Sequence, residues 1–452
     1  ETYTTLDTLV KTTKDLVIPE LTETYGDQGI TGFLKLTGAI ISGGSSDQVD
    51  WWEVGRRHKK FDYTTSSEIT NNTTNLVVSD SDFKAGVQVN DVVMDSSTGT
   101  RFIVQAGGFG TGTATDVTLV RLDGGAAITS GTHYDASSGS FIVLGNMYAQ
   151  GTNQPVGFRE TDVKRYRNPF MIVKGRHEVN GSQATNIGWV NTGGGEYRWF
   201  MYAEQEARKR FEDQREMMML FGEVRSGEVD GSSDSSTGGL AMGNEFAGSE
   251  GYFSAIDARG IQVTGANANP LDSFSEIDDI IIELDKQGAP GEYAMYLNRK
   301  QDLAIDDMLA SGIATGVTAG LPGQFGAFQN NADMAVQLGF KSFTRGGYTF
   351  HKHDWKLLND PTLLGASTKF QGVMTPLANV VDARTGNSTP SLALYYKEAN
   401  GYSREMEHWV TGGGVLGHTN NGDLGTDQAV FHYRSEVALC VRAANHHVVL
   451  KG

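Results

Sequence analysis

Cysteine, proline and long apolar runs are what this 452-residue chain has least of. Its one cysteine, Cys440, lies in the apolar run VALCVRA, so no disulfide framework can form and the thiol reads as a small buried hydrophobe. No segment approaches the roughly 20 apolar residues of a membrane-spanning helix, and the opening ETYTTLDTLV has neither a basic nor an apolar leader pattern. A membrane partner is not expected. Positive charge is also in the minority: 37 Lys and Arg against 54 Asp and Glu give a formal charge of -17. So acidic a chain repels nucleic acid and anionic lipid, which argues against a sequence-reading nucleic-acid binder.

Catalytic signatures are missing too. There is no Walker loop, no HExxH, no nucleophile elbow and no dinucleotide fingerprint after a strand. GGFGTGT at 107–113 has the glycines of a phosphate loop, but no lysine and no helix follow it. His351 and His353 share a strand face, yet two imidazoles do not make a zinc site; His446 and His447 read as pointing to opposite faces of a strand. The adjacent carboxylates Asp278 with Asp279, and Asp306 with Asp307, diverge by about 100° on a helix and read as solvated faces. The chain is therefore expected to be no enzyme, with no catalytic residue, cofactor or metal.

What is abundant is glycine, 57 residues set between Val, Ile, Thr, Phe and Tyr runs, which is the pattern of strands and hairpin turns. Against that β-rich background one helical signal stands out, YRWFMYAEQEARKRFEDQREMMMLFG at 197–222. Phe200, Ala203, Ala207, Phe211, Met218 and Phe221 recur at spacings of three and four and predict one apolar stripe, interrupted by Gln214. Glu204 with Arg208, Glu206 with Arg210, Arg208 with Glu212 and Lys209 with Asp213 are opposite charges one turn apart, worth about 0.2–0.5 kcal/mol each. Such a helix runs about 40 Å at 1.5 Å per residue, long for a globular domain. It is either an ordinary core helix or a spine spanning an elongated subunit.

In chain order, residues 1–50 offer a short helix and extended chain with too few apolar residues for a core of their own. Next, WWEVGRRHKKFDY holds the densest basic cluster, Arg56, Arg57, His58, Lys59 and Lys60 beside Trp51 and Trp52. A phosphate patch is one reading; a basic strand or loop facing an acidic neighbour suits an acidic chain better. Residues 82–150 are short alternating runs, predicting a small antiparallel sheet or barrel inserted into the chain. Residues 159–192 resume the basic extended pattern with Arg165, Arg167, Lys174 and Arg176. If they pair with 51–80, the two stretches make a ribbon, and a two-stranded ribbon needs a partner surface to be stable in water.

Beyond the helix, 224–270 reads as loop with one hairpin, GYFSAIDARGIQVTG. LDSFSEIDDIIIELDKQ at 271–287 predicts an amphipathic helix, with Ser273 and Glu276 as a capping box and its apolar face available to the long helix. YAMYL and a helix from Arg299 to Ala310 follow, then strands in GFKSFT, GYTFHKHDW, FQGVMTPLA, LALYYKEA and EMEHWVTGGG, and a closing strand pair in QAVFHYRSEVALCVRAANHHVVLKG. The fold class is α+β.

This order of parts, with RYRNPFMIVKGRHEVNGSQATNI leading by a glycine-rich turn into the long helix and YAMYLNRKQDLAIDDML beyond it, resembles the major capsid proteins of tailed bacteriophages (Caudoviricetes) with the HK97-type fold, and more loosely those of crAss-like phages. The resemblance implies an N-terminal arm at 1–50, an E-loop ribbon at 51–81 and 151–192, and an inserted β domain at 82–150. It further implies a P-domain with its spine helix at 193–287, an A-domain at 288–427 and P-domain closing strands at 428–452. It implies hexamers and pentamers of an icosahedral shell that encloses double-stranded DNA without reading it, together with portal and decoration proteins, a virion location and assembly in the host cytoplasm. Intersubunit contacts would fall on Arg56, Arg57, Lys59, Lys60, Arg165, Arg167, Lys174 and Arg176, facing acidic surface at 276–285 or 204–216 of a neighbour. Some relatives crosslink a lysine to an asparagine; Lys59, Lys60 and Lys174 are available, with no motif marking a partner. A reading of another class is a β-rich tail or surface protein that binds a receptor through Trp51, Trp52 and nearby tyrosines. It leaves the long helix unexplained.

Overall fold

The computed structural model describes residues 40–63, 69–109, 116–125, 127–135, 139–155, 157, 163–184, 199–224, 248–264, 270–318, 342–362, 369–381, 386–412 and 427–452. The expected N-terminal helix and the run SGEVDGSSDSSTGG lie outside these. Two compact units emerge, Trp52–Arg165 and the pairing of Glu1–Trp51 with Tyr166–Gly452.

The smaller unit is a seven-stranded antiparallel sheet in the order Lys60–Tyr63, Gly139–Asn146, Asp91–Asp95, Arg101–Ala106, Val117–Arg121, Leu76–Val78, Ile69–Asn71. Alternation builds it: in KFDY the residues run exposed, buried, exposed, buried. Phe61, Phe102, Phe141 and Leu119 meet Phe83, carried by the short helix Ser81–Gly86, whose first turn is capped by Asp80 accepting from the Phe83 N–H at 2.7 Å. Three strands before residue 82 belong to this sheet, so the domain is larger than the 82–150 expected. Phe61, Tyr63, Ile69, Leu76 and Val78 all point inward, and that supply of apolar side chains draws the strands in.

In the larger unit, the strand Gln428–Val441 is the centre of a five-stranded sheet. It pairs antiparallel with Met171–Asn180 over ten positions, from Met171 opposite Val437 to Asn180 opposite Gln428. Its other edge takes Glu407–Thr411 and Leu392–Tyr396, and Ile40–Ser42 adds in parallel beyond the latter. The long helix, Trp199–Phe221, packs on this sheet, with Phe211 stacked on Tyr433 at 5.7 Å. Gly175 permits the approach, since a Cβ there would stand 2.9 Å from the Phe211 ring. The helix is turned from the expected stripe: Phe211, Arg215, Glu216, Met219 and Leu220 are buried while Met218 is exposed. Arg215 faces inward because Glu405 waits 3.7 Å away in the sheet's flanking chain. Of the expected ion pairs, Arg208 with Glu212 (3.1 Å) and Glu206 with Arg210 (2.8 Å) form.

The stretch GYFSAIDARGIQVTG is a helix, Tyr252–Arg259, followed by a strand, Ile261–Thr264, and not the hairpin its sequence suggests. Tyr252, Phe253, Ala255 and Ile256 are buried at helical spacing, and Phe253 lies between the Phe221 ring at 4.7 Å and the Phe370 ring at 5.0 Å. A six-stranded mixed sheet runs Ile261–Thr264, Val448–Lys451, Phe370–Pro376, Glu292–Leu297, Tyr348–Asp354, Ser342–Arg345. The acidic helix Phe274–Gln287 buries Ile277, Ile280 and Leu284 in the core of this sheet with Tyr293, Met295 and Phe350, so its apolar face is spent there and not on the long helix. Glu276 accepts from the backbone N–H groups of Asp272 (2.7 Å) and Ser273 (3.2 Å), and Ser273 with Glu276 forms the capping box that the spacing predicted. The helix that begins at Arg299 continues to Thr318, past the expected Ala310. The last two strands part company, Gln428–Val441 entering one sheet and Val448–Lys451 the other, with the turn Ala444–His446 between them. His446 thus ends that turn and His447 follows it, ahead of the strand, so neither lies on a strand.

Candidate intersubunit surface

Strands Gln48–Val54 and Val163–Pro169 pair as a two-stranded ribbon, and the division between the two units falls within it. The ribbon is shorter than the expected span of 51–81 with 151–192. On one side its continuation enters the seven-stranded sheet. On the other, Met171, Val173, Gly175, His177 and Val179 line up beneath the long helix, so that strand pairs with the closing strand instead.

Strand alternation gives the two tryptophans opposite fates. Trp51 is buried, stacked on Tyr166 at 5.9 Å, and the Arg259 guanidinium lies 4.9 Å from the other ring of that pair. Trp52 is 62% exposed, as are Val54 at 69% and Val163 at 55%. The Arg165 guanidinium lies 5.7 Å over the Trp52 ring. Beyond Val54, residues 55–60 are all exposed. Lys59 reaches over the Phe61 ring at 5.6 Å and Lys60 pairs with Asp62 at 2.8 Å, both weak contacts at a wet surface.

All eight basic residues singled out by sequence are exposed. Arg56, Arg57, Lys59, Lys60 and Arg165 belong to the smaller unit; Arg167, Lys174 and Arg176 belong to the larger one. Lys174 and Arg176 occupy the face of their strand away from the long helix, and Arg176 pairs with Glu178 there. Sequence reasoning missed their neighbours across the sheet, His432, Arg434 and Trp409. Arg434 donates to Glu407 at 2.7 Å and stacks over Trp409 at 5.1 Å; Trp409 stacks on His432 at 5.0 Å. Burial and the Arg176 charge push the His432 pKa down. The period-two pattern of HYRSE was the available signal, since it sets His432, Arg434 and Glu436 on one face.

The two acidic stretches differ. Residues 204–216 carry five acids and four bases, nearly neutral, with Arg208 and Arg210 already paired within the helix. Helix Phe274–Gln287 carries five acids against Lys286 alone. Its outward ridge shows Asp279 and Asp285 about an Ile282 that is 52% exposed. Asp278 is held ionised by Arg345, whose hydrogen bond lowers its pKa.

The histidines at 351 and 353 lie on one strand, His353 stacked on Tyr296 at 5.4 Å. Among the described residues, no group of three or more His, Cys, Asp or Glu side chains has the closeness a metal would need, and no helix is long and apolar enough to cross a membrane.

No family model matches this chain, and no curated protein sequence does. Solved structures similar in shape include the capsid asymmetric unit of cyanophage A-1(L), at 11% identity and TM-score 0.44 over 99% of each chain. The capsid of cyanophage P-SCSP1u matches at 7% identity and TM-score 0.42, over 98% of this chain and 93% of its own. The capsid of a native GTA particle matches at 8% identity and TM-score 0.40, over 98% and 95%. At these values the likeness is one of shape and assigns no activity.

Proposed function

We propose that this chain is the shell-forming major capsid protein of a tailed bacteriophage, acting by assembly and not by catalysis. The observation that carries the reading is the ribbon with its following loop: Trp52, Val54 and Val163 lie open to water amid a run of cations, on a molecule that is otherwise strongly acidic. An exposed apolar and cationic strip of this kind is an association surface, and its opposite charge is most abundant on copies of the same chain.

In this reading the ribbon and smaller unit act as the E-loop with its inserted domain, residues 193–287 with the closing strands at 428–452 as the P-domain built on the long helix, residues 288–427 as the A-domain, and residues 1–50 as the N-terminal arm. Copies form hexamers and pentamers of an icosahedral shell in the virion, built in the host cytoplasm around double-stranded DNA and joined by portal and decoration proteins. Repetition of one modest contact around closed rings makes the shell stable. The eight exposed cations serve as contacts between copies. Electron microscopy of the purified chain tests this: closed shells or capsomers support it, whereas discrete monomers at high concentration overturn it, and trimers or fibres favour the receptor-binding alternative.

A further inference from the structure

Resting on that shell reading, we infer that the occupant of the ribbon surface is the acidic helix Phe274–Gln287 of a second copy. Both surfaces have the same plan with opposite sign. On the ribbon an apolar centre, Trp52 and Val54, is bordered by Arg165 and by the loop cations Arg56, Arg57 and Lys59. On the helix an apolar centre, Ile282, is bordered by the exposed Asp279 and Asp285, with Glu283 beside it paired to Lys286, so the rim keeps a net negative charge. An apolar centre inside a charged rim is how specific protein interfaces are built, with the apolar part supplying affinity and the rim supplying register and partner choice.

The competing surface, the long helix, lacks this plan. Its charges nearly cancel and are paired one turn apart, so it offers a cationic partner little net attraction. The acidic helix is also firmly seated, with Ile277, Ile280 and Leu284 in the core of the six-stranded sheet. A rigid helix presents its outward ridge without an ordering cost on binding.

Cys440, the only native cysteine, is buried, so engineered thiols report without background. In the double variant Lys59→Cys with Asp279→Cys, mild oxidation of assembled particles should give a ladder of covalent multimers on a non-reducing gel, with neither single variant giving more than dimers. Charge reversal supplies a second arm. Arg56→Glu with Arg57→Glu should lower the assembled fraction about tenfold, as should Asp279→Lys with Glu283→Lys, and the combined protein should recover most of it. Circular dichroism checks that each variant is folded. An intramolecular disulfide, or none, in particles that form normally overturns this contact and leaves the shell reading standing. So does loss of assembly on reversing Glu206 and Glu212 of the long helix while the Asp279 and Glu283 reversals assemble normally. Failure of the unaltered chain to assemble at all overturns both.

Discussion

Gly139 lies where any side chain would collide, since a Cβ there would sit 1.8 Å from the Tyr63 hydroxyl. That hydroxyl donates to the fully buried Asp95 at 2.8 Å, and the other Asp95 oxygen accepts from Ser97 Oγ at 2.6 Å and the Thr98 N–H at 2.9 Å. Tyr63→Phe should cost about 1–3 kcal/mol, because Asp95 then keeps a buried oxygen without its donor. Gly139→Ala should cost about as much through overpacking alone. Urea denaturation checks both. His447, fully buried with Nδ1 2.9 Å from the Tyr252 hydroxyl, gives a pH prediction. Burial pushes its pKa down to about 3, while an unfolded imidazole titrates near 6.5. Between those values the unfolded chain binds the proton and the folded chain does not. Stability from this group is therefore present above about pH 6.5 and is lost as pH falls towards 3, with a limiting slope of about 1.4 kcal/mol per unit. His447→Gln should be less stable at pH 7.5 yet show a shallower loss of denaturation midpoint between pH 7.5 and 5.

At the scale of elements, the junction of long helix and sheet is where polar burial concentrates. Arg215 has a side chain only 5% exposed, its pKa lowered by that burial and supported by Glu405 and Glu216. Arg215→Ala should cost about 1–3 kcal/mol by removing a buried side chain and the positive charge that faces Glu405 and Glu216, and Arg215→Met less, since it restores volume. Thermal unfolding separates the two. Which elements exist was largely legible: the long helix, the capped acidic helix, the strands YAMYL and MIVKGRHEV and both closing strands all follow from period and caps. What periodicity cannot give is rotation and partner choice. The helix stripe was misjudged because Met218 looked more apolar than the Arg215 position that an ion pair turns inward. GYFSAIDARGIQVTG looked like a hairpin because Gly251, Gly260 and Gly265 mimic turns, while Phe253 is claimed by rings distant in sequence. The basic surface was legible as a cluster, but that Trp51 is buried and Trp52 exposed depended on which strand face meets Tyr166.

For the whole molecule, an association driven by cations meeting acids should be sensitive to salt. Raising ionic strength from about 0.05 M to about 0.5 M shortens the screening length from about 14 Å to about 4 Å. The assembled fraction, followed by light scattering at fixed protein concentration, should fall, and the exposed apolar centre around Trp52 should leave a residual, salt-resistant part. Trp52→Ala should remove that residue of assembly while the isolated subunit keeps its stability, because the ring is mostly in water before association. The placement of Gln428–Val441 carries a consequence for biosynthesis. Every strand it pairs with precedes it in the chain, and Val448–Lys451 likewise follows both of its partners. Neither sheet can therefore close until residues 428–451 have been synthesised, and a product truncated before residue 428 lacks the strand on which the five-stranded sheet is centred and one from within the six-stranded sheet.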